Sequence, residues 1–328
     1  MPRTPIDHSD LEAIARLAQE DWNLPHLHNK PLEEVAASFR SNFARLRMMM
    51  SFPTAIVGSA DSTRRAHDLS EFELTKQLGR ELSHEETTEI ERRAHEILEH
   101  RHQQYEDLRN TPDWLPTVLS YHTAAAHALS GLTETPIGAF AYRPMLHSYL
   151  IATWTTIETM FGDLWEAALN THPRTLAALN GAPRRQQHGK PQTKDPKQID
   201  LNIIAKHNFD LRETMGTIFR SERRFEFTRL SSTREAYFRA FSERATRIET
   251  ALNSKYFDAL STVRNVLVHR SGKADDEYAR LQSSLPIPRC LKHDEIPLSG
   301  VVTSTLIKNA VTSSKNLLNA VDDWVSNN

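Results

Sequence analysis

A short segment near the end of the chain combines an arginine, an asparagine and a histidine at a spacing suited to chemistry on phosphates. Within Leu260–Asp275, Arg264 is followed directly by Asn265, and His269 comes four residues later. Residues four apart share one face of an α-helix, and residues five apart lie about 140° around its axis, within reach of long side chains. Imidazole can move protons near neutral pH, and guanidinium can hold a phosphate bidentately. The segment therefore predicts a small phosphoryl-transfer site that requires no metal.

The surroundings of this segment matter more than its spacing. Arg-x4-His is expected about once or twice by chance in a chain of this composition, and the second instance here is Arg3 with His8 near the N-terminus. Around Arg264, apolar residues recur on one helical face over 256–267, which predicts a core helix. Gly272 then predicts the end of that helix. The three side chains should lie in the last turns of a buried helix.

This combination resembles the HEPN superfamily (higher eukaryotes and prokaryotes nucleotide-binding domains). Many members of that all-α superfamily carry R-N-x-x-x-H followed by a glycine and an acidic residue, here Gly272 and Asp275. The resemblance extends over about 145–328. Upstream of the motif, the sequence 154–161 is similar to the family's first helix with its single acidic residue, here Glu158. It implies a helical bundle of HEPN type at the C-terminal end of the chain.

The resemblance also implies an activity. In active family members two protomers pair, and both motifs line one cleft that cuts RNA without metal. A metal-independent endoribonuclease acting as a homodimer would use His269 as base or acid on the ribose 2′-OH or the leaving 5′-oxygen. Arg264 would steady the scissile phosphate and Asn265 would orient the motif. Glu158 is the fourth candidate catalytic residue, and its alternative role is a structural ion pair. From the residues alone, apolar neighbours on its helix predict that Glu158 is half-buried and close to a cation such as Arg264.

The same resemblance implies a toxin-like role in bacterial defence, in the cytoplasm, with RNA as substrate and an antitoxin or regulatory protein as partner. Family toxins silenced by nucleotidylation carry a tyrosine two residues after the histidine, and Ser271 stands there. That mode of control is not implied. No cofactor and no metal are expected, because the His84-Glu85 start of a zinc motif lacks its second histidine at Thr88.

Basic residues around the motif are the candidates for binding the RNA backbone. Arg270 and Lys273 follow His269 directly, and Arg184 and Arg185 lie in the proline-rich basic loop 171–198. Such a loop can equally be a solvated linker. Another basic run ends beside Phe225 and Phe227, and its arginines could either contact RNA or be surface charges next to core aromatics. That run consists of Arg220, Arg223 and Arg224.

Two non-catalytic interpretations are alternatives to the endoribonuclease. Arg264 and His269 could be a structural pair in an inactive HEPN-like module, one that binds RNA or a partner protein without cleaving it. Alternatively, the long charged helix predicted over 83–109 could mediate assembly of an oligomeric scaffold. Which of the three applies depends on geometry that the motif does not specify.

The amino-acid composition excludes several other classes of protein and of functional site. Glycine supplies 10 of 328 residues, about 3% against a usual 7%, and no glycine-rich phosphate loop or G-x-S-x-G elbow occurs. Cys290 is the single cysteine, which excludes an intrachain disulfide and suits a reducing cytosol. No signal peptide and no run of 18 apolar residues is visible, so no membrane association is expected. The net charge is −7 over 1–149 and +5 over 150–328, a mild asymmetry.

The pattern predicts an all-α protein with an N-terminal helical region over 1–140 and a HEPN-like domain over 141–328. Loops are expected at 52–66, from its Gly-Ser and Phe-Pro signals, and at 131–144, the predicted boundary. Four Ser-x-x-Glu sequences predict helix N-termini. These begin at Ser9, Ser70, Ser83 and Ser232.

Overall fold

The computed structural model describes residues 8–20, 22–133, 135–179, 181, 201–222, 225–242 and 245–328. Within them the regular elements are helices, joined by turns and one isolated β-bridge, so the all-α class is confirmed. None of the helices in this part of the chain is long and apolar enough to cross a membrane. The helices are α1 (His8–Gln19), α2 (Lys30–Leu78), α3 (Thr87–Leu108, preceded by a 3₁₀ turn at His84–Glu86), α4 (Trp114–Thr133), α5 (Pro136–Thr171), α6 (Pro173–Leu176), α7 (Leu201–Lys206), α8 (Met215–Ser221), α9 (Leu230–Phe241), α10 (Thr246–Leu252), α11 (Lys255–His269), α12 (Asp276–Leu281) and α13 (Gly300–Asn327).

The chain forms two compact units that do not follow a single cut in the sequence. Unit 1 comprises 1–21, 47–145 and 299–304, and unit 2 comprises 22–46, 146–298 and 305–328. This division is more interleaved than the single boundary expected near 140, because segment 22–46 belongs with the C-terminal helices. Helices α2, α5 and α13 contribute residues to both units.

A buried histidine connects three helices of unit 1. His122 of α4 is 8% exposed, and its Nδ1 lies 2.8 Å from Thr54 Oγ1 while its Nε2 lies 3.0 Å from Gln19 Nε2. Thr54 Oγ1 also donates to the carbonyl of Ser51 at 2.9 Å. The hydroxyl proton is thereby committed, so Nδ1 of the imidazole donates to Thr54, and Nε2 is left to accept from the Gln19 amide. Burial accordingly lowers the pKa of His122.

The loop predicted at 52–66 is wrong, because α2 is continuous from Lys30 to Leu78. Pro53 removes one helical hydrogen bond, and buried neighbours in unit 1, such as Met50 and Ala66, offset that loss. Gly58 is present for a steric reason within the helix. A Cβ there would lie 2.5 Å from the hydroxyl of Tyr121, so the glycine allows close packing and marks no turn.

The loop predicted at 131–144 is also wrong, because α4 ends at Thr133 and α5 begins at Pro136 and contains Pro144. Proline suits the first helical position, where its missing N–H has no helical partner. Of the four Ser-x-x-Glu sequences, the one at Ser83 forms a capping box with Glu86, whose Oε2 accepts from the Ser83 N–H at 2.7 Å. The other three serines lie inside helices: Ser9 in α1, Ser70 in α2 and Ser232 in α9.

The highly charged helix predicted over 83–109 is present as α3. Ala94 is its one buried residue with described side chains, and Glu89 pairs with both Arg92 and Arg93 on the surface. Those arginines lower the pKa of Glu89 to about 2. This is the pattern of a solvated helix laced by i, i+3 and i, i+4 ion pairs.

Unit 2 is organised around aromatic side chains on α5, α9 and α11. Trp165 donates from Nε1 to the carbonyl of Ala236 at 3.0 Å, and the Tyr237 hydroxyl donates to the carbonyl of Phe161 at 2.8 Å. Phe161 in turn packs edge-on against Phe257 with ring centroids 5.1 Å apart. The polar atoms of these two buried rings are thus paired, and α5 is the central helix against which α9 and α11 pack.

Segment 22–46 completes unit 2. The buried carboxylate of Asp322 accepts from the backbone N–H groups of His28 at 2.9 Å and Asn29 at 3.0 Å, just before α2 begins. Both donors precede the first turn of that helix, so Asp322 of α13 satisfies groups that lack intrahelical partners. The apolar face that follows is buried, at Leu32, Ala36, Phe39 and Phe43.

Candidate functional site

Helix α11 carries the predicted motif, and its buried face explains its position. Ser254 caps the helix by accepting from the Tyr256 N–H at 3.4 Å. The predicted apolar stripe is confirmed in the core at Leu260, Val263 and Leu267, while Tyr256 is half-buried and its neighbour Phe257 is fully buried. Arg264, Asn265 and His269 lie outside this buried face of α11. The packing of the buried residues therefore holds the three side chains at the surface of unit 2.

The end of α11 is built from two backbone hydrogen bonds and two left-handed residues. The N–H groups of Arg270 and Gly272 both donate to the carbonyl of Val266, at 3.0 and 3.1 Å. Ser271 and Gly272 have φ values of 50° and 80°, a region that glycine adopts without steric cost. Gly272 therefore reverses the chain just after His269, as predicted. Its carbonyl then accepts from the Ile296 N–H at 2.9 Å, which fixes the residues after the motif.

Arg264 is half-buried and incompletely hydrogen-bonded. Its Nη1 donates to Asn265 Oδ1 at 3.1 Å, while its buried Nε has no hydrogen-bond partner. An unpartnered buried donor is costly, so the Nε–H of Arg264 is a polar group that the fold leaves unsatisfied. Asn265 thus contacts the guanidinium directly, the geometry expected of a residue that orients it.

Glu158 of α5 is half-buried near Arg264 but does not pair with it closely. Burial raises the pKa of Glu158, and the positive charge of Arg264 opposes that shift without cancelling it. No ion pair within 4.0 Å joins the two side chains in the described structure. Arg264 is consequently influenced by a carboxylate without being neutralised by it.

One groove of about 960 Å³ in unit 2 brings several of the predicted residues together. It is lined by Arg264, Asn265, His269 and Arg270 from α11 and its C-terminus. Glu158 and Lys273 do not line the groove. Lys273 instead forms the isolated β-bridge with Glu295. Arg184 and Arg185 lie outside the described residues.

Two further segments line a second side of the groove, which the sequence did not indicate. One is 228–231 at the start of α9, and the other, around α12, contributes Glu277, Tyr278, Leu281 and Leu285. Arg229 is the residue on that side best suited to bind an anionic ligand, because its side chain is exposed and cationic. No sequence signal links it to a motif 35 residues further along, since the packing of α9 beside α11 is what joins them.

Other sequence candidates have structural roles. Arg220 pairs with Asp163 and Glu166, and Phe225 and Phe227 pack against Trp165. This supports the interpretation of Arg220 as a surface charge beside core aromatics. Arg223 and Arg224 lie outside the described residues.

Burial raises the pKa of Cys290, which is the opposite of what a nucleophilic thiol requires. In the part of the chain that the structure describes, no group of three His, Cys, Asp or Glu residues is placed to hold a metal ion.

No family model matches the chain, and neither the curated proteins nor the solved structures include a significant match.

Proposed function

We propose that the protein is a metal-independent endoribonuclease of HEPN type. The observation that carries the proposal is that Arg264 and the exposed His269 line one groove at the end of α11, and that no carboxylate of the described residues lies within 4.0 Å of the Arg264 guanidinium. A cation able to bind phosphate and a group able to move protons are the minimum that RNA transesterification needs. The choice of RNA as the substrate comes from the resemblance to HEPN domains.

The chemistry follows from the two side chains. His269 removes the proton from a ribose 2′-OH, whose oxygen attacks the adjacent phosphorus while the bond to the 5′-oxygen breaks. The products are a 2′,3′-cyclic phosphate and a 5′-hydroxyl, and the leaving oxygen takes up one proton. Arg264 stabilises the negative charge that develops on the phosphoryl oxygens, and Asn265 holds its guanidinium. In a homodimer a second His269 would supply the proton to the leaving group.

Labelled RNA incubated with purified protein in EDTA tests this activity. We expect wild-type cleavage to leave cyclic phosphate ends, and His269→Ala and Arg264→Ala each to lower the rate roughly 10²- to 10⁴-fold. Arg264→Lys should recover part of the rate, because lysine keeps the charge but loses the bidentate geometry. His207→Ala and Arg174→Ala are matched controls in unit 2 that do not line the groove. Absence of wild-type cleavage across varied RNAs contradicts the proposal.

The second candidate is a non-catalytic HEPN-like module that binds RNA or a partner protein. It is favoured by the environment of His269, whose imidazole makes no hydrogen bond to the described residues that would select its tautomer. Catalytic histidines are commonly oriented by such a partner. Binding without cleavage in the same assay would support this candidate, and a strictly monomeric mass would count against a composite site.

The setting proposed with the enzyme is toxin-like, in bacterial defence, with an antitoxin or regulatory protein controlling a cytoplasmic homodimer. It follows from the resemblance and depends on the activity. A protein that cleaves RNA freely should arrest growth when expressed alone, and His269→Ala should remove that arrest.

A further inference from the structure

The carboxylates that line the groove all have arginine partners, whereas some of the lining arginines have no carboxylate partner among the described residues. Three carboxylates contribute to the lining, and each lies beside an arginine. The pairs are Asp258 with Arg234 at 2.8 Å, Asp275 with Arg270 at 3.6 Å, and Glu277 with Arg280 at 4.0 Å. Within the described residues this leaves two lining guanidiniums outside any ion pair, those of Arg264 and Arg229.

The side chain of Arg229 makes no hydrogen bond and no ion pair within the described residues. Arg229 occupies the N-cap position of α9, and its backbone carbonyl accepts from the N–H of Thr233 at 2.9 Å and from the Thr233 hydroxyl at 3.2 Å. A guanidinium has no acceptor for a capping hydrogen bond, so this position does not employ the side chain. The side chain is exposed. A cation that stabilises no neighbour and lines a groove is available to a ligand, and arginine is well suited to phosphate.

The groove offers little for recognising bases. Tyr278 is the one Phe, Tyr or Trp residue in the described lining, and it is fully buried with its hydroxyl donating to the carbonyl of Pro288 at 2.8 Å. The exposed ring in the lining is the imidazole of His269, which the proposed function assigns to the chemistry. Base-specific or base-stacking recognition of single strands depends on exposed aromatic rings or on side chains aimed at base edges. The lining therefore favours contacts with the sugar-phosphate backbone.

We infer that Arg229 binds a second phosphate of the strand whose scissile phosphate contacts Arg264. The ligand of the groove is accordingly a ribonucleotide chain spanning at least two phosphates, held by its backbone with little preference for base identity. This inference rests on the proposed function, since it takes the substrate to be RNA. Arg229 has a binding role in it, whereas His269 carries out the chemistry.

The salt dependence of RNA binding measures this contact directly. Each phosphate neutralised on a single strand contributes about −0.7 to the slope of log K against log salt concentration. The assay uses the His269→Ala protein, to prevent cleavage, with fluorescent single-stranded 12-mers of A and of U. Adding Arg229→Gln should reduce the slope by about 0.7 and weaken binding roughly fivefold at about 0.1 M salt. Arg229→Lys should keep the slope, because the charge is retained.

A matched control and a kinetic measurement separate binding from catalysis. Arg174→Gln removes an exposed arginine of unit 2 that does not line the groove, and should leave the slope unchanged. In the otherwise wild-type protein, Arg229→Gln should raise KM roughly fivefold and leave kcat unchanged. The A and U 12-mers should bind within about threefold of each other.

The outcomes distinguish this inference from the proposed function. RNA cleavage with an unchanged slope in Arg229→Gln overturns the inference and leaves the enzyme standing. RNA binding with the expected change in slope, but without cleavage by the wild type, supports the inference and contradicts the enzyme. A strong preference for one 12-mer, or no RNA binding by the His269→Ala protein, overturns the inference.

Discussion

At the scale of single residues, Glu158 and Arg264 show how burial and charge compete. The carboxyl of Glu158 is half-buried on α5, and desolvation raises its pKa more than the nearby guanidinium lowers it. The ionised form is thus disfavoured by the fold. The same weak pairing leaves Arg264 with positive charge to offer, which a tight ion pair would have cancelled.

Replacing Glu158 by glutamine should stabilise the protein at neutral pH. Because the pKa is raised on folding, the folded protein holds the proton more tightly than the unfolded chain, and stability falls as pH rises above the ordinary value of 4.5. Glu158→Gln removes this loss. Urea unfolding should show the variant to be more stable than wild type at pH 7, with the difference vanishing below about pH 4. Lower stability of the variant at pH 7 would mean that the charge of Glu158 is needed by Arg264.

At the scale of elements, Arg234 connects three helices of unit 2. Its guanidinium donates to both carboxylate oxygens of Asp258 at 2.8 Å and to the carbonyl of Leu252 at 2.9 and 3.0 Å. It joins α9 to the end of α10 and the start of α11. The clamp fixes one wall of the groove relative to the other, so it positions Arg229 and the motif, and its own side chains Arg234 and Asp258 are part of the lining.

Loss of this clamp should destabilise the protein strongly. Arg234→Met keeps the apolar stem but leaves Asp258 and the last carbonyl of α10 without partners, which should cost about 2–4 kcal/mol in the free energy of unfolding. Arg247→Met is the matched control. That residue pairs with Asp323 on the surface with its side chain 72% exposed, against 18% for Arg234, and should cost less than about 1 kcal/mol. Equal effects in urea unfolding would show that the clamp contributes no more than a surface pair.

At the scale of the whole molecule, unit 2 is assembled from separated parts of the chain. Segment 22–46 contributes buried apolar side chains at six positions and donates two backbone N–H groups to Asp322. Each buried leucine or phenylalanine contributes about 1.5–3 kcal/mol, and a whole domain is stable by only about 5–15 kcal/mol. The six positions are Leu27, Leu32, Ala36, Phe39, Phe43 and Leu46.

A fragment comprising residues 141–328 should therefore fail to fold cooperatively. Near-ultraviolet circular dichroism should show weak aromatic signals, because the apolar face that receives 22–46 is uncovered and Asp322 is unpaired. Adding a peptide of residues 22–46 should restore part of the signal and raise the Tm. A fragment that unfolds cooperatively without the peptide would show that 141–328 is an independent domain.

The sequence by itself determined the all-α class, the buried stripe of α11 and the end of that helix at Gly272. These follow from periodicity and from the backbone conformation that glycine permits, which are local properties. Local signals misled where packing outweighed them. Gly58 indicated a loop, although it is a helical residue that makes room for Tyr121.

Only the tertiary structure decided which residues share a groove with the motif. Arg229 is 35 residues from Arg264 in the chain, and the two line one groove because α9 and α11 both pack against α5. Likewise, no pattern within 22–46 indicates that its backbone N–H groups are bound by Asp322, almost 300 residues away. Contacts between distant segments depend on how buried faces fit together, and the spacing of residues along one helix contains no information about that fit.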